Sequence, residues 1–243
     1  MNSHNNRFIV PSLIMGGAII LSVLVFGMNW KAVKKENQTI TVTGSAKKEI
    51  TSDLGILRGT LALYASTSKL AYDQLNAQKP LLVEYLRTKG FPESKVEFST
   101  YNVYPQYQYY NDGRQGSVIG YHASQMFSVQ SKDVNLIKEI SLDISSLLSK
   151  GVDLQINMPE YYYTKLADVK IDIQAEAARD AKMRAEKIAA STGSTLGVMR
   201  SARMGVLQIT PVNSNMISDY GMNDVTSIEK EITAVINASF EIQ

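Results

Sequence analysis

Three groups of residues have the types and spacing that chemistry asks for. The chain has two histidines, and His122 is the one that falls in its body. On a strand of period two it points with Ser124 and Ser128, so a serine nucleophile with a histidine base is the chemistry to weigh. Such a pair needs a third group to orient the base. The sequence has no Gly-x-Ser-x-Gly elbow and no second histidine close by. His122 is therefore expected to be structural or on the surface, and no catalytic residue is assigned. Asp168, Asp172, Glu176 and Asp180 recur every four residues. On a helix that stripe drifts by about 40° per step, whereas a hard cation wants oxygens converging from several elements. Lys165, Arg179, Lys182 and Arg184 lie among them, so a solvated or intersubunit ion-pair face is expected, with Asp180 paired to Arg184. No metal, cofactor or small-molecule substrate is expected. The third group is aromatic. Tyr101, Tyr104, Tyr107, Tyr109 and Tyr110 crowd one arm of a hairpin, and Tyr161, Tyr162 and Tyr163 follow a later strand. Amphipathic rings at an exposed hairpin suit a protein contact surface, and the alternative is lateral packing within the domain. The candidate interface is Tyr104, Tyr107, Tyr109, Tyr110, Tyr161, Tyr162 and Tyr163.

The elements that carry these residues can be read from periodicity. Thr39 to Thr43 and Asp53 to Tyr64 read as strands, with Gly44-Ser-Ala-Lys47 between them as a turn that lacks the Gly-Lys-Ser/Thr ending of a phosphate loop. A helix follows from about Thr67 to Lys89, with Ala71, Leu75, Leu82 and Leu86 in one stripe, Pro80 expected to kink it and Gly90 to end it. Val96 to Tyr104 and Val118 to Gln130 form the hairpin pair, joined through Asn111-Asp112-Gly113. Asp133 caps a helix with the stripe Val134, Ile137, Ile140, Ile144 and Leu148, which Gly151 closes. A strand from Val152 to Met158 completes a β-α-β-β-α-β order, the split βαβ arrangement. A long helix from about Leu166 to Ser191 follows, with Ile171, Ala175, Ala178, Ala181, Ala185 and Ile188 expected inside. Leu196 to Leu207 reads as a strand, 209–224 as a loop, and Glu231 to Ile242 as a strand of strict alternation. The fold class is α+β: a split β-α-β-β-α-β core with an added long helix and C-terminal strands.

The start of the chain is of another kind. Phe8 to Trp30 holds no ionisable side chain, and at about 1.5 Å per residue it can cross a core of about 30 Å. Arg7 precedes it, and Trp30, Lys31, Lys34 and Lys35 follow it as interfacial and basic flanks. The expected organisation is a tail over 1–7, a transmembrane anchor or uncleaved signal over 8–30, a linker over 31–37 and one domain over 38–243. The formal charge of +2 misleads, since those four flanking basic residues, once removed, leave 21 basic against 23 acidic groups. A near-neutral domain gives no electrostatic case for nucleic acid. Cysteine is absent, which removes disulfides, thiol catalysis and thiolate metal sites. By the positive-inside rule the lysines after the span hold the domain in the cytoplasm.

Ile40-Thr-Val-Thr-Gly-Ser-Ala, Tyr101-Asn-Val-Tyr-Pro-Gln-Tyr, Gly120-Tyr-His-Ala-Ser and Ala175-Glu-Ala-Ala-Arg-Asp-Ala-Lys-Met-Arg-Ala-Glu stand in order along the chain. In order and spacing they resemble the SIMPL-domain family over roughly Gln38 to Gln243. The resemblance implies an exported periplasmic or outer-surface protein of the bacterial envelope, against the charge signal. It also implies assembly into larger particles and a link to oxidative-stress defence, with no established enzymatic activity. The leading expectation is a non-enzymatic, membrane-anchored envelope protein acting as a homo-oligomer or by binding a protein partner. A monomeric adaptor presenting the tyrosine hairpin to a membrane partner is the alternative, and a hydrolytic enzyme the third.

Overall fold

Residues 13–26 and 38–243 are described by the structure, a computed structural model. The first of these segments is a helix, α1 (13–26), whose apolar side chains are exposed all round. Among the described residues no helix is long and apolar enough to cross a membrane. The rest of the expected span lies outside the described residues, and so do Arg7, Trp30, Lys31, Lys34 and Lys35.

The chain divides into two units. One comprises Lys48–Val169 and Gln208–Ile232; the other comprises Met1–Lys47, Lys170–Leu207 and Thr233–Gln243. Two strands, β1 (Thr39–Thr51) and β11 (Glu229–Ile242), run from one unit into the other along the chain.

The first unit holds the split βαβ core. In chain order it is β2 (Leu54–Ala65), α2 (Ser68–Thr88), β3 (Val96–Phe98), β4 (Asn102–Tyr109), β5 (Gln115–Ser131), α3 (Val134–Asp143), β6 (Leu154–Ile156) and β7 (Glu160–Tyr162). The sheet is six-stranded and runs β3-β5-β2-β6, with β4 also on β5 and β7 also on β2. Its pairs are antiparallel. Leu57, Leu61 and Leu63 of β2 and Ala123, Phe127 and Val129 of β5 bury one face in a common core with the stripes of α2 and α3. α2 is capped by the Thr67 side chain, runs unbroken through Pro80, and gives way to Gly90 at φ +94°. The α3 stripe ends differently from its α-helical reading. From Ile144 to Lys150 the chain tightens to a 3₁₀ helix, so Leu147 is buried at 1 % exposure while Leu148 is 54 % exposed. Three residues per turn rather than 3.6 move the inward position back by one. Met158 is likewise exposed, because β6 ends at Ile156. The expected loop over 209–224 is bordered by the short parallel pair β9 (Gln208–Pro211) and β10 (Met222–Asn223), and the Gln208 side chain holds Ser218.

α4 (Leu166–Ser191), which belongs to the second unit from Lys170 on, has its expected length but a different inner stripe. Ile173, Ala177, Ala181, Ala185 and Ala189 are buried, whereas Ile171 and Ile188 are exposed. Burial goes to the smallest side chains because the sheet comes very close. A Cβ on Gly44 would stand 2.3 Å from the carbonyl oxygen of Ala177 and 2.4 Å from the Ala181 nitrogen. Gly44 to Lys47 is thus no turn; it lies within β1, and its glycine serves close approach to a helix. β8 (Leu196–Met204) pairs with β11, whose Ala234, Ile236, Ala238 and Phe240 point inward as the alternation predicts.

Candidate functional site

With one face of the six-stranded sheet buried, the alternate residues of each strand lie on the other. Register aligns Tyr64 of β2, His122 of β5 and Tyr104 of β4 in one row. The His122 ring lies 4.7 Å from that of Tyr64 and 4.9 Å from that of Tyr104, edge-on or tilted to each. Tyr64 is 70 % exposed and Tyr104 is exposed as well. His122 Nδ1, the atom a triad carboxylate would hold, is buried without a hydrogen-bond partner among the described residues. The row is therefore an aromatic surface, with ring contacts on both flanks of the imidazole.

Towards the hairpin tip the surface grows more apolar. Tyr109 is 68 % exposed, and Tyr110, Val118 and Ile119 are exposed too. Tyr107 is half-buried opposite Val118. Asp112 holds the turn, accepting from the Arg114 backbone at 3.1 Å and pairing with its guanidinium.

The second tyrosine cluster is divided by the alternation of β7. Tyr161 is 4 % exposed and belongs to the core, so it is unavailable to a surface. Tyr162 donates its hydroxyl to Glu160 at 2.6 Å, and Arg58 pairs with the same carboxylate oxygen. The Tyr162 and Arg58 hydrogen bonds hold the Glu160 carboxyl below its ordinary value. Tyr163 lines a small cavity with Lys230.

Lys230 is the residue that periodicity alone passes over. It is 2 % exposed, and its Nζ donates to the carbonyl of Tyr161 at 2.6 Å and to that of Asp224. Burial pushes its pKa down, against the nearby Asp224 charge. Asp224 keeps its own carboxylate below the usual range. Burial raises it, but hydrogen bonds from Thr226 and Ser227, with Lys230 beside it, outweigh that. A signal was present in the sequence: Lys230 is in phase with Ile232, Ala234 and Ile236 on the closing strand.

On α4 the four acids do not converge, and among the described residues no cluster of three or more His, Cys, Asp or Glu is placed to hold a metal. Asp180 pairs with Arg184 at 2.8 Å, as expected, and also accepts the Ser45 backbone N–H at 2.8 Å. That backbone hydrogen bond is the main cause of its lowered pKa.

What fold and site define is an α+β domain with a split βαβ core, an alanine-striped helix and an open aromatic sheet face. Residues 40–240 match the SIMPL family, described as a protein family of unknown function (DUF541). The chain belongs to that family. It is similar to an uncharacterized protein YggE of Edwardsiella ictaluri (strain 93-146), at 24 % identity over 179 residues, covering 72 % of each chain.

Proposed function

We propose that this SIMPL-family protein works without catalysing a reaction, as a membrane-anchored protein of the cell envelope that self-assembles or binds a protein partner. The observation that carries this reading is the exposed aromatic row of Tyr64 and Tyr104 beside His122, together with the hairpin beyond it, where Tyr109, Tyr110, Val118 and Ile119 are exposed on both of its faces. Large amphipathic rings are what protein interfaces concentrate at their centres. Anchoring is supported by α1, since a helix apolar on every side needs protein or lipid around it, and by the uncharged run from Phe8 to Trp30. The reading puts the domain outside the cytoplasm with a part in oxidative-stress defence, and what supports both is the family resemblance. A reporter fused after Gln243 that is active only outside the cytoplasm is the expected topological result; activity inside reverses the placement.

The reading is tested by the absolute molar mass of the full chain in detergent, over a wide concentration range. A discrete multimer that persists on dilution is expected for self-assembly. Replacing Tyr107, Tyr109 and Tyr110 together by Ser is expected to reduce multimer or partner affinity at least tenfold, about 1.4 kcal/mol or more. Thermal stability should fall only modestly, because Tyr109 and Tyr110 are exposed and Tyr107 is half-buried. If both assembly and partner capture survive the triple change, the hairpin is not the contact surface.

A further inference from the structure

Sheet edges offer unpaired N–H and C=O groups to other chains, and natural sheets guard them with charge, proline or bulges. β1 carries Lys47 and Lys48. β4 carries Pro105 and two register irregularities against β5. β8 carries Arg200 and Arg203 and is bulged against β11. The end of β2 has no such guard. β6 pairs with β2 over Gly59–Leu61, the Ala62 N–H reaches the Asp153 carbonyl, and pairing on that side stops there. β2 nevertheless continues to Ala65, held in regular register on its other side by β5. In a strand, backbone groups two residues apart point the same way, so the Tyr64 N–H and C=O face the side that Ala62 uses.

That side is an open cleft of about 530 Å³ between the end of β2 and the flank of α2. Leu63 and Tyr64 line it from the strand, Gln74, Ala77 and Gln78 from the helix, and Asp153 from the chain entering β6. Gln78 and Asp153 fix one end with reciprocal bonds, Gln78 Nε2 to Asp153 Oδ2 at 2.9 Å and Asp153 N–H to Gln78 Oε1 at 2.8 Å. Ala77, the small residue in the helical wall, leaves the space above the strand edge open.

We propose that this cleft receives an extended segment of a partner polypeptide. The segment adds as a strand beside Leu63–Ala65 and carries a lysine or arginine at the Asp153 end. A bare strand edge recognises a ligand whose donors and acceptors alternate at strand spacing, and a peptide backbone is that ligand. The lining has a carboxylate and no basic side chain, which sets the sign of the charged residue. The cleft shares Tyr64 with the aromatic row but includes none of Tyr107, Tyr109 and Tyr110, so changes at the hairpin tip distinguish the two surfaces.

The test pans a random heptapeptide library against the full chain, with the Ala77→Trp chain as the counter-target. Ala77 is exposed on α2, so the indole fills the cleft without entering the core. Enriched peptides are expected to hold alternating β-formers and a basic residue, and to protect the Tyr64 amide from hydrogen exchange. They should bind Ala77→Trp at least tenfold more weakly and the Tyr107/109/110→Ser chain unchanged. Asp153→Asn should weaken the basic peptides several-fold. No enrichment over the counter-target, or enriched peptides that leave the Tyr64 amide unprotected, overturns the site. An unchanged affinity for Asp153→Asn overturns the charge assignment. Should Ala77→Trp fail to fold, Gln74→Trp on the same flank replaces it.

Discussion

Gly44→Ala is expected to cost about 3 kcal/mol or more, the upper end of what overpacking a filled interior does, and Gly44→Val to prevent the second unit from folding. The added carbon meets the backbone of α4 at two residues. It would lie 2.3 Å from the Ala177 carbonyl oxygen and 2.7 Å from the Ala181 Cβ. No rotamer relieves a Cβ clash, so α4 has to move away from β1 along its length. That movement separates the Ala177 and Ala181 contacts and draws Asp180 off the Ser45 N–H, which it accepts at 2.8 Å. Several such losses together are a large share of the roughly 5–15 kcal/mol that stabilises a domain. Urea denaturation followed by circular dichroism measures the effect. Gly205→Ala is the comparison, since its Cβ would find the Val235 oxygen at 3.3 Å and the Val235 Cβ at 3.6 Å, far looser than at Gly44. A Gly44→Ala chain as stable as Gly205→Ala would mean that α4 does not sit against β1 as described.

The same glycine shows where a sequence reading stops. Gly44-Ser-Ala-Lys47 has the composition of a turn, and composition is what local propensity reports. Its actual reason is tertiary, a helix axis passing close overhead, and the matching signal sits 130 residues away in the alanines of α4. The isoleucines of that helix drew the expected stripe to Ile171 and Ile188 because larger side chains usually win burial. Here the narrow gap selected alanine at most inward positions; Ile173 is buried with them, and Ile171 and Ile188 were left exposed. Elements whose periodicity and caps agree were legible almost to the residue. α2 with Thr67, Leu75, Leu82 and Gly90 is one, and β11 is another.

The proposed contact surface was half legible. Strand alternation alone requires that Tyr161 and Tyr162 part company, but it does not say which goes inward. Pairing with β2 decides that, through the register Gly55↔Tyr161 and Ile56↔Glu160. The row Tyr64–His122–Tyr104 could not be seen at all, because its members come from three strands whose registers are set by the hairpin and by a long-range pairing. His122 was expected to be structural or at the surface, and what the sequence could not name is its neighbours in space, two phenol rings.

Lys230→Met is expected to destabilise the first unit by about 2–4 kcal/mol at neutral pH, because it strips one buried and one part-buried carbonyl of their donor while keeping the side-chain volume. Tyr161 O and Asp224 O both lose their partner, and with them the tie between β7 and the chain leading into β11. The sign of the pH dependence follows from burial, which places the folded pKa of Lys230 below its ordinary value of 10.5. Between the folded pKa and 10.5 the unfolded chain binds more protons than the folded one, so native stability rises with pH across that window. The contribution is complete above 10.5 and is lost as pH falls through the folded pKa. The stability difference between the natural chain and Lys230→Met should therefore widen towards pH 10.5 and be flat beyond it. Taking the difference cancels the tyrosines that titrate in the same range, Tyr161 and Tyr162 among them, provided that they titrate alike in both chains. Denaturation of both chains at intervals from pH 7 to 11 reads this directly. A difference that stays constant across the window would mean that Lys230 keeps its ordinary pKa in the fold, held by charge from Asp224 rather than penalised by burial.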